Sequence, residues 1–198
     1  MKNDKKPYWG STFLNWHLPL AEKNVTLKTA LTDMHKTSHD QGAIPFIVRL
    51  IENPSFSLSP GGTLFHGAVD LKNHDCIHIL LGRGMRPKDE AFVIGYTMGS
   101  TRQVGCLEER LYSWISQHLY PGVYKFSQDD LSIFKQALHL ALASPVKALD
   151  KVNFDLFMDW PLAKIRQSLA IDEGLLKAAY KIEAATFPNS KESQRLLR

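Results

Sequence analysis

Cysteine is scarce in this chain: only Cys76 and Cys106 occur in 198 residues, too few for a disulfide framework. A reducing compartment, the cytoplasm, is the corresponding expectation. Long apolar runs are also missing. No stretch reaches the roughly 18 residues of a membrane span, and the opening MKNDKKPYWG is basic without the apolar centre of a signal peptide. Such a chain can touch a membrane, at its inner face, but is not expected to cross it. The net charge of +4 is dispersed along the chain, so nucleic acid is not an expected partner; that reading needs a basic stripe with interleaved aromatics. Alternating β-branched runs between hairpin turns are lacking too, as are internal repeats.

What is present is a globular balance, 44% hydrophobic against 22% charged, in a chain long enough to bury a core without a structural metal. Any metal it binds is therefore expected to be functional. Apolar residues recur at helical spacing, which predicts an all-α, single-domain bundle of about seven or eight helices. Residues 1–25 read as an N-terminal arm, 26–187 as the helical domain and 188–198 as a frayed tail. Helices are expected over 26–38, 44–52, 68–81, 107–119, 131–143 and 174–187, with others opening at Pro87 and near Pro161. Gly82 and Gly84 suit the end of the helix over 68–81. Pro87 suits a first helical turn. Ser127 and Asp130 have capping-box spacing.

The stretch KNHDCIHILLGRGMRPKDEAF carries the chemistry. His74 and His78, at i and i+4, share one helix face about a turn apart, so two imidazole nitrogens can reach one ion. Asp75 lies about 100° around the helix, placed to complete a site from the flank or to hold a histidine by a hydrogen bond. Glu90 sits about one turn beyond the 82–86 break, level with His78 if that break folds two helices into a hairpin. Two histidines with one or two carboxylates suit zinc, or iron where coordination positions stay open. The plainer reading of the same stretch is a core helix followed by a charged, capped turn. Arg83 and Arg86 stand in the break, either as cations for a substrate carboxylate or as solvated helix-end charges.

His74-Asp75-x-x-His78, eleven residues and Glu90 together resemble the HDxxH-x11-E signature of the coenzyme Q (ubiquinone) biosynthesis protein 4 family. Leu80-Leu81-Gly82 is similar to that family as well, and so is WPLAKIRQSLAI, with Trp160, Leu162, Ile165, Arg166, Leu169 and Ile171. The chain departs from the family pattern in DLKN before the motif and in Cys76 and Ile77 within it. The resemblance implies an all-helical fold, a divalent metal on His74, Asp75, His78 and Glu90, an apolar tunnel for a prenyl chain, and peripheral membrane association. It also implies removal of the ring carboxylate, with hydroxylation at the same carbon, from a prenylated hydroxybenzoate-type precursor. The rival from another class is a non-catalytic prenyl-lipid-binding scaffold that gathers quinone-biosynthesis enzymes, as a homodimer or in a larger complex.

Other constellations are thinner. His39, His74, Asp75 and either Asp129 or Asp130 can be assembled into a metal phosphohydrolase of the HD superfamily, but that choice ignores His78 and Glu90. HDxxH also resembles the HExxH of zinc proteases, although aspartate is too short for the glutamate's role as base. Met85, Phe92, Ile94, Tyr96 and Met98 read as core or as tunnel lining. The stripe in FKQALHLALA reads as buried against the bundle or as a membrane- or dimer-facing surface. Cys76 reads as a small core residue.

Overall fold

The computed structural model describes residues 9–37, 65–118 and 125–197. Among them are eight α-helices and no strand: α1 (Leu27–Lys36), α2 (Leu71–Leu81), α3 (Pro87–Ser100), α4 (Cys106–His118), α5 (Gln128–Ala143), α6 (Leu162–Ser168), α7 (Glu173–Thr186) and α8 (Lys191–Arg195). The all-α expectation holds. The helix expected over 44–52, the loop up to residue 64 and the pair His39 and Asp40 lie outside the described residues.

Helix starts follow local chemistry. Thr26, Asp70, Ser127, Asp172 and Ser190 each cap a helix by accepting a backbone N–H three residues on. Ser127 and Asp130 form the expected capping box, and Pro87 opens α3 with Asp89 accepting the Arg86 N–H at 3.2 Å. Gly82 ends α2 in the left-handed conformation at φ 65°. A β-carbon there would lie 2.8 Å from the Leu20 backbone, so glycine is required twice over.

α3 is the central helix. Every residue from Ala91 to Ser100 is buried, as befits a helix apolar on all sides. It packs most extensively on α5. Gly95 and Gly99, one turn apart, let α5 approach: a β-carbon at either would sit 2.2 Å from the carbonyl oxygen of Phe134 or Leu138. The stripe in FKQALHLALA is thus core, with Phe134, Ala137, Leu138 and Ala141 buried. One hydrophobic cluster takes residues from α1 through α7.

Both ends of the chain dock on the core. In the arm, Trp16, Leu18 and Leu20 are fully or nearly fully buried; their spacing of two fits an extended strap with one face inward. Residues 188–197 do not fray. They include α8, whose Ser193 donates to Glu183 at 2.9 Å and whose Arg195 pairs with Asp89, while Leu196 is buried.

Gly95→Ala is expected to destabilise the protein by about 1–3 kcal/mol, because backbone must move to admit the methyl group. Urea unfolding of the variant beside Gln136→Ala, an exposed position on α5, checks it; equal midpoints would refute the close approach.

Candidate metal centre

The hairpin of α2 and α3 brings His74, His78 and Glu90 together. Their candidate ligand atoms all lie within 4.8 Å of one another. The Glu90 carboxylate straddles the two rings, with Oε1 3.3 Å from His78 Nε2 and Oε2 3.5 Å from His74 Nε2. The rings meet edge to face, centroids 4.7 Å apart.

Protonation follows from the surroundings. His78 is completely buried, and its Nδ1 lies 2.7 Å from the carbonyl oxygen of Gly84. A carbonyl only accepts, so Nδ1 carries a proton and Nε2 is the nitrogen that faces Glu90; burial opposes a charge on this ring, but the Glu90 carboxylate outweighs it and raises the His78 pKa. Burial pushes the His74 pKa down, with Glu90 opposing. Burial also works against ionisation of Glu90, but the two histidines prevail and hold it below the usual carboxylate range. Both Nε2 atoms are buried without a hydrogen-bond partner. Nitrogen lone pairs facing a carboxylate call for a cation between them, either a proton on Nε2 or a metal ion. The donor set, two imidazole nitrogens and a carboxylate, suits such an ion; tetrahedral bonds of 2.0–2.1 Å put neighbouring ligand atoms roughly 3.3 Å apart, so atoms that lie within 4.8 Å of one another would draw together on it.

The remaining expected residues go elsewhere. Asp75 is not in the cluster; its Oδ2 pairs with His35 Nε2 of α1 at 2.9 Å, which raises the His35 pKa. Arg83 is neither solvated nor open to a ligand. It is fully buried, donates twice to Glu183 at 3.1 and 2.5 Å, and lies over the rings of Phe92 and Tyr180. Arg86 reaches the Leu14 carbonyl, Asn15 and Glu192 at the surface. Cys76 is core, its thiol pushed up to about 12 by burial. Asp130 serves the Ser127 cap, and Asp129 lies 3.5 Å from Lys88.

Beside the cluster lies an apolar pocket lined by Phe65, Val69, His74, Ile94, Met98 and Tyr112, among others. Ile94 and Met98, two of the residues weighed as tunnel lining, are therefore pocket wall. No family model matches the chain, and neither does any curated protein or solved structure.

Sequence reading missed the groups that hold α2 in place. Arg166 donates to the carbonyls of Leu80 at 2.8 Å and Leu20 at 2.9 Å, Tyr180 to Leu81 at 2.6 Å, and His17 Nε2 to Gly82 at 3.2 Å. Burial, aided by the Arg195 charge, lowers the His17 pKa from 6.5 to about 4. Between these values the unfolded chain binds a proton that the folded protein excludes, so stability falls as pH drops through that window, by up to about 3 kcal/mol. His17→Gln, which keeps a donor, is expected to flatten the fall in urea midpoint between about pH 7 and about pH 5; an unchanged slope would refute the assignment.

Proposed function

We propose that His74, His78 and Glu90 hold one divalent metal ion, zinc in the first place and iron as the alternative, beside a pocket that takes the apolar part of a ligand. The observation that carries this reading is the pair of buried, unpartnered imidazole nitrogens facing one carboxylate. Three protein ligands with a further position open is the arrangement of catalytic zinc and of two-histidine, one-carboxylate iron sites. When bound, such an ion would supply Lewis acidity toward a carboxylate or phenolate oxygen. The chain's own contributions are the tautomer of His78, set by Gly84, and pocket walls that exclude water.

The resemblance to the coenzyme Q biosynthesis family suggests the substrate class: a prenylated aromatic precursor that loses its ring carboxylate, with dioxygen required if the same carbon is hydroxylated. A non-catalytic scaffold that binds an isoprenoid lipid is the second reading. The engagement of Arg83 by Glu183 favours it, since that arginine no longer serves a substrate carboxylate.

No helix among the described residues is long and apolar enough to cross a membrane. Contact with a membrane, at its cytoplasmic face, is part of the proposal and has a surface to support it. Leu107, Leu111 and Trp114, at i, i+4 and i+7 of α4, are 81, 45 and 52% exposed, while Tyr112 of the same helix lines the pocket. An apolar ligand entering from a bilayer would meet this helix first.

Metal analysis by mass spectrometry on untagged protein is expected to find about one equivalent of zinc or iron, lost in His78→Ala and in Glu90→Ala. Asp75→Asn is expected to keep most of it. Metal absent after refilling with zinc, iron or manganese would sink the proposal. If metal is bound, loss of turnover on a prenylated hydroxybenzoate in those two variants, with lipid binding partly kept, marks an enzyme; retained protein partners with no turnover in the wild type mark the scaffold.

Flotation with liposomes addresses the membrane face. Trp114→Ser with Leu107→Ser is expected to reduce the bound fraction several-fold, and equal flotation would remove α4 as the contact.

A further inference from the structure

His78 and Glu90 stand on different helices, so their separation is set by the break over residues 82–86 that joins α2 to α3. One side chain from far along the sequence touches both the middle of that break and the helix beyond it. Arg195 of α8 pairs with Asp89 through Nη2, and the same nitrogen packs on Gly84, where a β-carbon would strike it. The Trp16 carbonyl oxygen, 2.7 Å from that β-carbon position, closes in on Gly84 as well.

Each contact leads to a candidate ligand. The Gly84 carbonyl oxygen lies 2.7 Å from His78 Nδ1 and orients that ring. Asp89 precedes Glu90 and starts α3, its Oδ2 accepting the Arg86 N–H at 3.2 Å. The Asp89 side chain is fully buried, and Arg83 stands 3.9 Å away from it, committed to Glu183. Without Arg195 the carboxylate would be left largely uncompensated in the interior and would draw toward water. That movement loosens the first turn of α3, which carries Glu90.

We propose that Arg195 is a positioning residue of the metal centre: by holding Gly84 and Asp89 in one grip, it fixes the separation of His78 and Glu90 at which a divalent ion is bound. It gives no atom to the ion and acts only through these two neighbours. The inference rests on the metal reading and adds to it a dependence on α8. A contact that served only to dock this helix would stabilise the fold without touching the hairpin. Ser193 is such a contact, its hydroxyl going to Glu183 and Ser190.

The test is the zinc affinity of the full-length protein, from competition with a chromophoric chelator, together with the visible spectrum of the cobalt(II) form, which reports coordination geometry. Arg195→Gln is expected to weaken zinc binding about 10–100-fold and to reduce the intensity of the cobalt bands. Arg195→Lys, which keeps a charge for Asp89 but not the flat group on Gly84, should fall between that variant and the wild type. Ser193→Ala should bind both ions as the wild type does, although its thermal midpoint drops. Should Arg195→Gln fail to fold, as judged by circular dichroism, Arg195→Lys against Ser193→Ala decides. Arginine variants that bind zinc like the wild type overturn the inference and leave the metal reading intact, and so does an equal loss in Ser193→Ala. Wild-type protein that binds neither ion overturns the metal reading and this inference with it.

Discussion

The last turn of a helix leaves carbonyl oxygens without partners in their own helix, and how those of α2 are satisfied governs much of this structure. Arg166 of α6, Tyr180 of α7 and His17 of the N-terminal strap donate to Leu80, Leu81 and Gly82 in succession. Three separate parts of the chain therefore converge on one helix end. The arrangement joins two stretches that are remote in sequence, the HDxxH helix and the run around Arg166, in a single set of hydrogen bonds. It also fixes the height at which the following break leaves α2, and with it the level at which α3 carries Glu90 past His78.

A buried charge network lies directly beyond. Arg83 is paired with Glu183, which also accepts from Ser193, and Asp89 is paired with Arg195. Removing one partner of a buried ion pair strands the other, at about 3–5 kcal/mol, which far exceeds the worth of an exposed pair. That difference explains why a segment as polar as 188–197 docks at all. Its Ser193 and Arg195 complete two carboxylates that the core has already buried.

This is also where the sequence was hard to read. Local features were legible: the box at Ser127 and Asp130, Pro87 at a helix start, Gly82 at a helix end, and the face shared by His74 and His78. Each is set by spacing of four residues or fewer. Glu90 was legible because one short break separates it from α2. Asp75 and Arg83 were not, since their partners His35 and Glu183 are 40 and 100 residues away. The C-terminal segment misled for a related reason, because serines and charges that satisfy buried carboxylates look the same in a sequence as those that face water. Gly95 and Gly99 were legible in principle, as small residues one turn apart on an apolar helix.

The two halves of the structure meet at Gly84. Its carbonyl accepts from His78 Nδ1 at 2.7 Å, while a β-carbon on it would strike the Arg195 guanidinium and the Trp16 carbonyl oxygen. Gly84 is thus pinned between the C-terminal helix and the N-terminal strap. The Nδ1 proton of His78 and the orientation of its ring depend on where that carbonyl stands, and the direction in which Nε2 points depends on the ring. The donor face of the site is therefore set from behind, by groups that never reach it. A rigid surround of this kind holds donor groups at a set spacing, so His74, His78 and Glu90 owe their positions to packing well away from their own ligand atoms.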